Sequence, residues 1–265
     1  MIKLNGKEIS FRHYPDGTPL FKFDPSNESV AYVEWLYHSN EEMVFLAFLV
    51  RHLQTHGISD ISLIMPYIPN ARMDRVKKSE DVFTLKYFAE FINSLNFRKV
   101  CVLDPHSAVS EALINNVRIL PNTLFQRALE QIDTFDDKHE TYLFFPDEGA
   151  MKRYAAEANR GYTFGVKQRD FSTGKIMSFD VVGDTKFVKD CNVVIIDDIC
   201  SRGGTVYHSA LKLKELGANK IYVCITHCEN SIAEGELLKG DLIERIYTTD
   251  STLTLRNAKI EVMPY

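Results

Sequence analysis

Residues 192–205 run Asn-Val-Val-Ile-Ile-Asp-Asp-Ile-Cys-Ser-Arg-Gly-Gly-Thr. An apolar, β-branched strand ends in two adjacent carboxylates, Asp197 and Asp198, and a short glycine turn leads to a helix starting near Thr205. Each part has a chemical use. Gly203 and Gly204 let backbone N–H groups turn onto an anion, because glycine tolerates φ > 0 without a Cβ clash. The N-terminus of the following helix adds positive potential. Carboxylates at the end of a buried strand can hold ribose hydroxyls or a metal. Together these parts describe a pocket for a sugar phosphate. An acidic, glycine-rich turn with no ligand is the plainer alternative, and the paired Asp before Gly-Gly-Thr counts against it.

Four further clusters carry reactive side chains. Pro66–Arg75 follows a strand-like run and holds Arg72, Asp74 and Arg75; two guanidinium groups three residues apart suit polyphosphate oxygens. Asp104-Pro105-His106 also follows a strand, and His106 can ligate a metal or touch phosphate. Asp147-Glu148-Gly149, with Lys152 and Arg153 a turn later, reads as an anion turn with a carboxylate for Mg2+. Lys167 and Arg169 open a polar loop over 168–176, where two cations can close on a transferring phosphoryl group. Taken singly, each has a structural reading: a solvated loop with a salt bridge, a structural histidine, a helix N-cap, a solvated hairpin.

The elements that must position these residues alternate between strand and helix. Helical spacing covers 41–55, 82–95, 123–132, 151–159 and 205–216; strand patterns cover 61–65, 99–103, 141–145, 162–167, 177–182, 192–198 and 220–226. This predicts an α/β fold with mainly parallel sheets flanked by helices. The alternation occurs twice, which places a domain boundary near Pro121, giving domains 1–121 and 122–265. The polar residues cluster after the strands, where open α/β sheets bind ligands.

Composition narrows the class. Lys and Arg number 31 against 36 Asp and Glu, a net charge of −5, which argues against a nucleic-acid partner. No apolar run is long enough for a bilayer, and the first residues lack the core of a signal peptide. Five cysteines, an odd number mostly on strand patterns, read as reduced thiols in a cytoplasmic protein. Trp35, with Tyr32 and Tyr37 nearby, reads as core, and His52 and His56 as helix surface.

The order of the five clusters resembles the ribose-phosphate pyrophosphokinases, over roughly residues 60–250. Arg72-Met73-Asp74-Arg75 is similar to that family's ATP-contacting Arg-Gln-Asp-Arg loop, and Asp104-Pro105-His106-Ser107 to its Asp-Leu-His-Ala metal and ATP segment. Pro146-Asp147-Glu148-Gly149 resembles the Pro-Asp-x-Gly pyrophosphate loop with its metal-binding aspartate. Lys167 and Arg169 fall where the catalytic flexible loop carries a Lys and an Arg, and Asp197–Thr205 resembles the phosphoribosyl loop Asp-Asp-x-x-Asp-Thr-Gly-Gly-Thr. Gly6-Lys7 and Pro15-Asp16-Gly17 echo the amino-terminal segment more weakly. The resemblance implies two phosphoribosyltransferase-like domains and a homo-oligomer whose ATP site borrows from a neighbouring subunit. It implies transfer of the β,γ-diphosphate of ATP, with Mg2+, to the anomeric hydroxyl of a ribose 5-phosphate. On that reading Arg72, Asp74, Arg75 and His106 bind ATP, and His106 and Asp147 serve the metal. Lys167 and Arg169 are catalytic. Asp197 and Asp198 hold ribose hydroxyls, and the loop Ser201, Arg202, Gly203, Gly204 and Thr205 holds the 5-phosphate.

Three departures qualify the resemblance. Ser201 and Arg202 replace the family's acid and threonine in the phosphoribosyl loop, and the added arginine points to an acceptor more anionic at its 5-position, ADP-ribose being one concrete candidate. Pro105 stands in the Asp-x-His segment without the Gly-Phe-Phe that follows in the family. The chain ends at Tyr265, before the family's terminal helix, so allosteric control by nucleotides is not carried over. Two rivals remain open: a phosphoribosyltransferase, which shares the Asp-Asp and Gly-Gly-Thr elements, and a non-catalytic regulatory homologue.

Overall fold

A computed structural model describes residues 1–25, 29–157, 160–169 and 176–265; the side chains of 157, 167–169 and 176–178 lie outside that description. The chain divides into two compact units, Met1–Pro121 and Asn122–Tyr265.

The amino-terminal unit contains β1 (Ile2–Leu4), β2 (Lys7–Glu8), the small hairpin β3 (Arg12–His13) and β4 (Pro19–Leu20), β5 (Ala31–Trp35), α1 (Glu41–Thr55), β6 (Ile61–Ile64), α2 (Thr84–Ser94), β7 (Lys99–Leu103), α3 (Ala108–Leu113) and β8 (Val117–Leu120). Its main sheet has the order β2-β1-β5-β6-β7-β8. β5 to β8 pair in parallel, and the β1 edge is antiparallel. Apolar spacing on α1 buries Phe45, Leu46, Leu49, Val50 and Leu53 against a core that includes Trp35, Leu63 and Val102. Trp35 is core, as the sequence suggests, and its indole N–H donates to Glu42 at 2.9 Å. Tyr32 is not core: it alternates outward on β5 and is exposed.

The carboxy-terminal unit contains α4 (Leu124–Phe135), β9 (Thr141–Phe145), α5 (Glu148–Tyr154), β10 (Tyr162–Arg169), β11 (Ile176–Val182), β12 (Asn192–Cys200), α6 (Gly204–Glu215), β13 (Ile221–Cys228), β14 (Arg245–Thr248) and β15 (Ile260–Val262). The sheet order is β11-β10-β9-β12-β13-β14-β15, parallel except for the β10–β11 hairpin. β12 has apolar layers on both faces, and its parity sorts them. Val193 and Ile195 join the core with Val206, Ala210 and Leu213 of α6. Val194 and Ile196 join the core with α4 and with Ala150 and Tyr154 of α5.

Three sequence expectations shift. The helix drawn over 151–159 begins earlier, because Asp147 caps it, and runs Glu148–Tyr154 before a 3-10 turn at Ala155–Glu157. The strand drawn to end at Asp198 continues to Cys200, because Ile199 and Cys200 still pair with His227 and Cys228. His227 and Cys228 accordingly lie within β13 and are buried, rather than following it. Among the described residues none of the five cysteines forms a disulfide. Among the described residues no helix is long and apolar enough to cross a membrane.

Candidate functional site

The sheet order of the carboxy-terminal unit locates a binding crevice before any side chain is considered. From β9 the chain crosses through α5 to β10 on one side, and from β12 through α6 to β13 on the other. α5 packs with one apolar layer and α6 with the opposite one. The order reverses between β9 and β12, and ligands bind beyond the carboxyl ends of strands at such a reversal. Asp147 follows β9 there. Asp197 and Asp198 lie on β12 past Ile195, the last residue paired with β9.

The two adjacent carboxylates differ. Asp198 has the parity of Val194 and Ile196, is 3% exposed, and pairs with Arg153 of α5 at 3.0 Å. Asp197 has the opposite parity, is half-buried, and its Oδ1 accepts from the Asp198 N–H at 3.0 Å. Burial first, then the neighbouring Asp198 and Asp147, pushes the Asp197 carboxyl well above the usual carboxylate range. The Asp147 carboxylate caps α5, accepting from the Ala150 N–H at 3.1 Å.

The turn after β12 is short: Ser201, Arg202 and Gly203. Gly203 is the N-cap of α6 at φ 75°, ψ 16°, the left-handed region that favours glycine. Gly204, expected to share that conformation, does not; it is the first helical residue, exposed, with nothing within 4 Å of an added Cβ. The backbone amides of the α6 N-terminus therefore meet open space at Gly204, which suits an anion. Thr205 is half-buried in that first turn. Arg202 is exposed and engages Glu234, with Nε at 2.9 Å and Nη2 at 2.7 Å from the carboxylate. A Cβ on Gly235 would collide with the Arg202 carbonyl oxygen, so Glu234 and Gly235 back the turn closely. Cys200, whose exposure the sequence leaves open, is buried.

In the amino-terminal unit, Arg72 and Arg75 are exposed on the loop after β6, with Asp74 buried between them. Asp74 accepts from Arg75 Nε at 2.8 Å and Nη2 at 3.2 Å. Burial opposes its ionisation, but Arg75, the Ser107 hydroxyl and His106 outweigh burial and hold its carboxyl below the usual range. The two sequence segments 72–75 and 104–107 thus form one cluster. Asp104 takes φ 41° at the exit of β7, a conformation few non-glycine residues adopt, and it begins the turn to His106. Lys167 and Arg169 lie near the end of β10; their side chains, and residues 170–175 of the expected polar loop, lie outside the described residues.

No family model matches the chain. A ribose-phosphate pyrophosphokinase of Thermococcus kodakarensis is 25% identical over 263 residues, spanning 97% of this chain and 90% of its own length. The Pyrococcus furiosus protein of the same name is 26% identical over the same spans. The crystal structure of phosphoribosylpyrophosphate synthetase from Mycobacterium smegmatis superposes with a TM-score of 0.80 at 19% identity, covering 97% of this chain and 86% of that one. Over nearly its whole length the chain is similar in sequence to ribose-phosphate pyrophosphokinases and shares the fold of a phosphoribosylpyrophosphate synthetase.

Sequence reasoning missed several residues at the site. Arg153 was visible only as a cation a turn after Asp147; its partner, Asp198, lies 45 positions on, as 198 − 153 = 45. Glu234 carries no motif. His227 is buried and bonded to Ser251 at 2.8 Å, and the Thr249 and Ser251 hydroxyls both donate to the Thr226 carbonyl of β13. The polar spacing Thr-Thr-Asp-Ser-Thr at 248–252 is the one sequence signal for that network. A cavity of about 680 Å3 lies at the other end of β9, around Asp133, Asp136, Tyr142 and Arg160. It is separate from the crevice, and Asp133 in it is already paired with Arg160.

Proposed function

We propose that the protein is a Mg2+-dependent diphosphotransferase that moves the β,γ-diphosphate of ATP to the anomeric hydroxyl of a ribose 5-phosphate-type acceptor. The anomeric oxygen bonds to the β-phosphorus, the bond from that phosphorus to the α-phosphate oxygen breaks, AMP leaves, and the hydroxyl proton is released. The nucleophile belongs to the substrate, so the protein's part is to position and to neutralise charge. One observation carries the reading: a single strand–turn–helix sets a carboxylate pair beside an open, Gly203-capped amide turn at the sheet's reversal point.

In this reading Asp197 and Asp198 take the ribose hydroxyls, and residues 201–205 take the 5-phosphate through amides and the Ser201 and Thr205 hydroxyls. Arg72, Arg75 and His106 take ATP phosphates, with Asp74 holding Arg75 in place. Lys167 and Arg169 neutralise the transferring group. The donor chemistry fits Mg2+: Asp147, Asp197 and Asp198 are oxygen donors, and their mutual repulsion favours a cation nearby. Among the described residues no group of three or more His, Cys, Asp and Glu is assembled around a metal position; Mg2+ commonly takes one or two carboxylates plus substrate phosphates. Asp147 is the residue best suited to it, whereas the imidazole of His106 is better matched to phosphate than to this hard cation. When bound, Mg2+ would supply charge stabilisation on the β,γ-phosphates.

Arg202 supports a more anionic acceptor, such as ADP-ribose. It stands at the turn, and its ion pair with Glu234 is exposed, so a second phosphate competes for it at low cost. The test is mass spectrometry of products from ATP, Mg2+ and either ribose 5-phosphate or ADP-ribose. AMP together with an acceptor heavier by one diphosphate is expected. Diphosphate release from a phosphoribosyl donor, or no turnover with either acceptor, overturns the class; a clear preference for ribose 5-phosphate overturns ADP-ribose alone.

A further inference from the structure

Asp198 poses a problem that the acceptor reading does not solve. Its carboxylate is turned into the layer between β12 and α5, where an unpaired charge is costly. Arg153 answers it at 3.0 Å, its guanidinium also lying over the Tyr154 ring at 5.5 Å. Arg153 sits near the far end of the helix that Asp147 caps, so one short element has a site carboxylate at its cap and the Asp198 anchor in its last turn. Adjacent strand residues face opposite sides of a sheet. For the pair to serve one sugar, each carboxylate must be fixed relative to the other, and Arg153 is the contact that fixes Asp198.

We propose that Arg153 is a positioning residue of the acceptor site: from α5 it grips the Asp198 carboxylate and thereby fixes the geometry in which the Asp197–Asp198 pair receives the sugar's hydroxyls. This rests on the reading of that pair as the acceptor site. Arg153 touches no reacting atom and acts through Asp198. A merely stabilising ion pair would alter melting temperature and the amount of active enzyme, with no preference between substrates. A positioning residue alters the acceptor KM selectively, because misplacement of about 1 Å can cost up to about 100-fold.

The test is steady-state kinetics of wild type, R153M, R153K, D198N and R153M/D198N with ATP, Mg2+ and ribose 5-phosphate or ADP-ribose, with melting curves alongside. R153M is expected to raise the acceptor KM about tenfold or more, with the ATP KM within about twofold. R153K keeps the charge but loses the fork, and falls between wild type and R153M. In the D198N background R153M adds little, because both act through one contact. An unchanged acceptor KM in R153M, a parallel rise in both KM values, or an undiminished effect in the D198N background overturns the proposal. If R153M does not fold, R153K decides: a selective rise of about threefold or more in acceptor KM supports it, and a wild-type acceptor KM overturns it. Absence of diphosphate transfer by the wild type is a different failure, that of the acceptor reading itself.

Discussion

Alanine at Gly203 and at Gly204, taken separately, divides the anion turn's fold from its use. Gly203 has φ 75°, ψ 16°, where an L side chain costs about 1–2 kcal/mol. Its Cβ would also collide with Leu237 Cδ1 and lie 3.0 Å from Cγ. Leu237 is fully buried and cannot swing into solvent, so overpacking adds about 1–3 kcal/mol. G203A therefore destabilises the carboxy-terminal unit by about 2–5 kcal/mol, a fall on the order of 10 °C in its Tm. Gly204 is already helical and has open space around its Cβ direction. G204A leaves stability within about 1 kcal/mol of wild type, alanine being the better helix former. That open space is where the acceptor's phosphate would sit, so G204A raises the acceptor KM about tenfold or more. Melting curves and acceptor titrations read both. A G203A Tm within a degree or two of wild type would refute the strain argument, and a wild-type acceptor KM in G204A would refute the placement of the phosphate.

Three more variants follow from the same reasoning. D74N removes the carboxylate that orients Arg75, so the ATP KM rises about tenfold while the acceptor KM holds; the reverse pattern in steady-state kinetics would move ATP off this loop. E234Q releases the exposed Arg202 and changes stability by less than about 1 kcal/mol. It improves KM for ADP-ribose relative to ribose 5-phosphate; an unchanged ratio separates Arg202 from acceptor choice. Asp136 is held down to about 2 by hydrogen bonds from His139 and Asn192, against an ordinary 3.8. Its folded value is depressed, so its stabilising effect is full above pH 4 and lost as pH falls towards 2. Acid unfolding of D136N is expected to be less steep than wild type across that window, and equal steepness would remove Asp136 from the acid response.

The fold was legible where one residue run could settle its own environment. Asn192–Ile196 is apolar at every position but the first, a pattern that fits a strand covered on both faces. α1 announced itself through Phe45, Leu46, Leu49, Val50 and Leu53 at helical spacing. Elements of two to four residues, β1, β2, β14 and β15, offer too little periodicity to read; their pairing partners, such as Val33 for Leu4 and Ile246 for Ile260, lie tens of residues or a loop away. α5 was drawn late because the Asp147 cap and the apolar signal of Ala150 and Met151 lie close together, and apolar spacing alone starts a helix only at its first buried side chain.

The candidate site was legible in its backbone and carboxylates and illegible in what holds them. Asp197, Asp198 and Gly203 declare themselves because strand end, paired charge and glycine are adjacent in sequence. Gly204 misled for the same reason: adjacency suggested a shared conformation, whereas only the N-cap position needs positive φ, and the next residue already obeys the helix. Arg153 and Glu234 were silent because their meaning comes from partners 45 and 32 positions away, Asp198 and Arg202. A charged side chain's role is fixed by its partner and the burial of that partner, and neither has a sequence period. Asp198 is 3% exposed, whereas the Arg202–Glu234 pair stands in solvent. Two arginines that look alike in the sequence thus have opposite prospects: Arg153 is costly to release, whereas Arg202 is free to exchange its partner for a ligand.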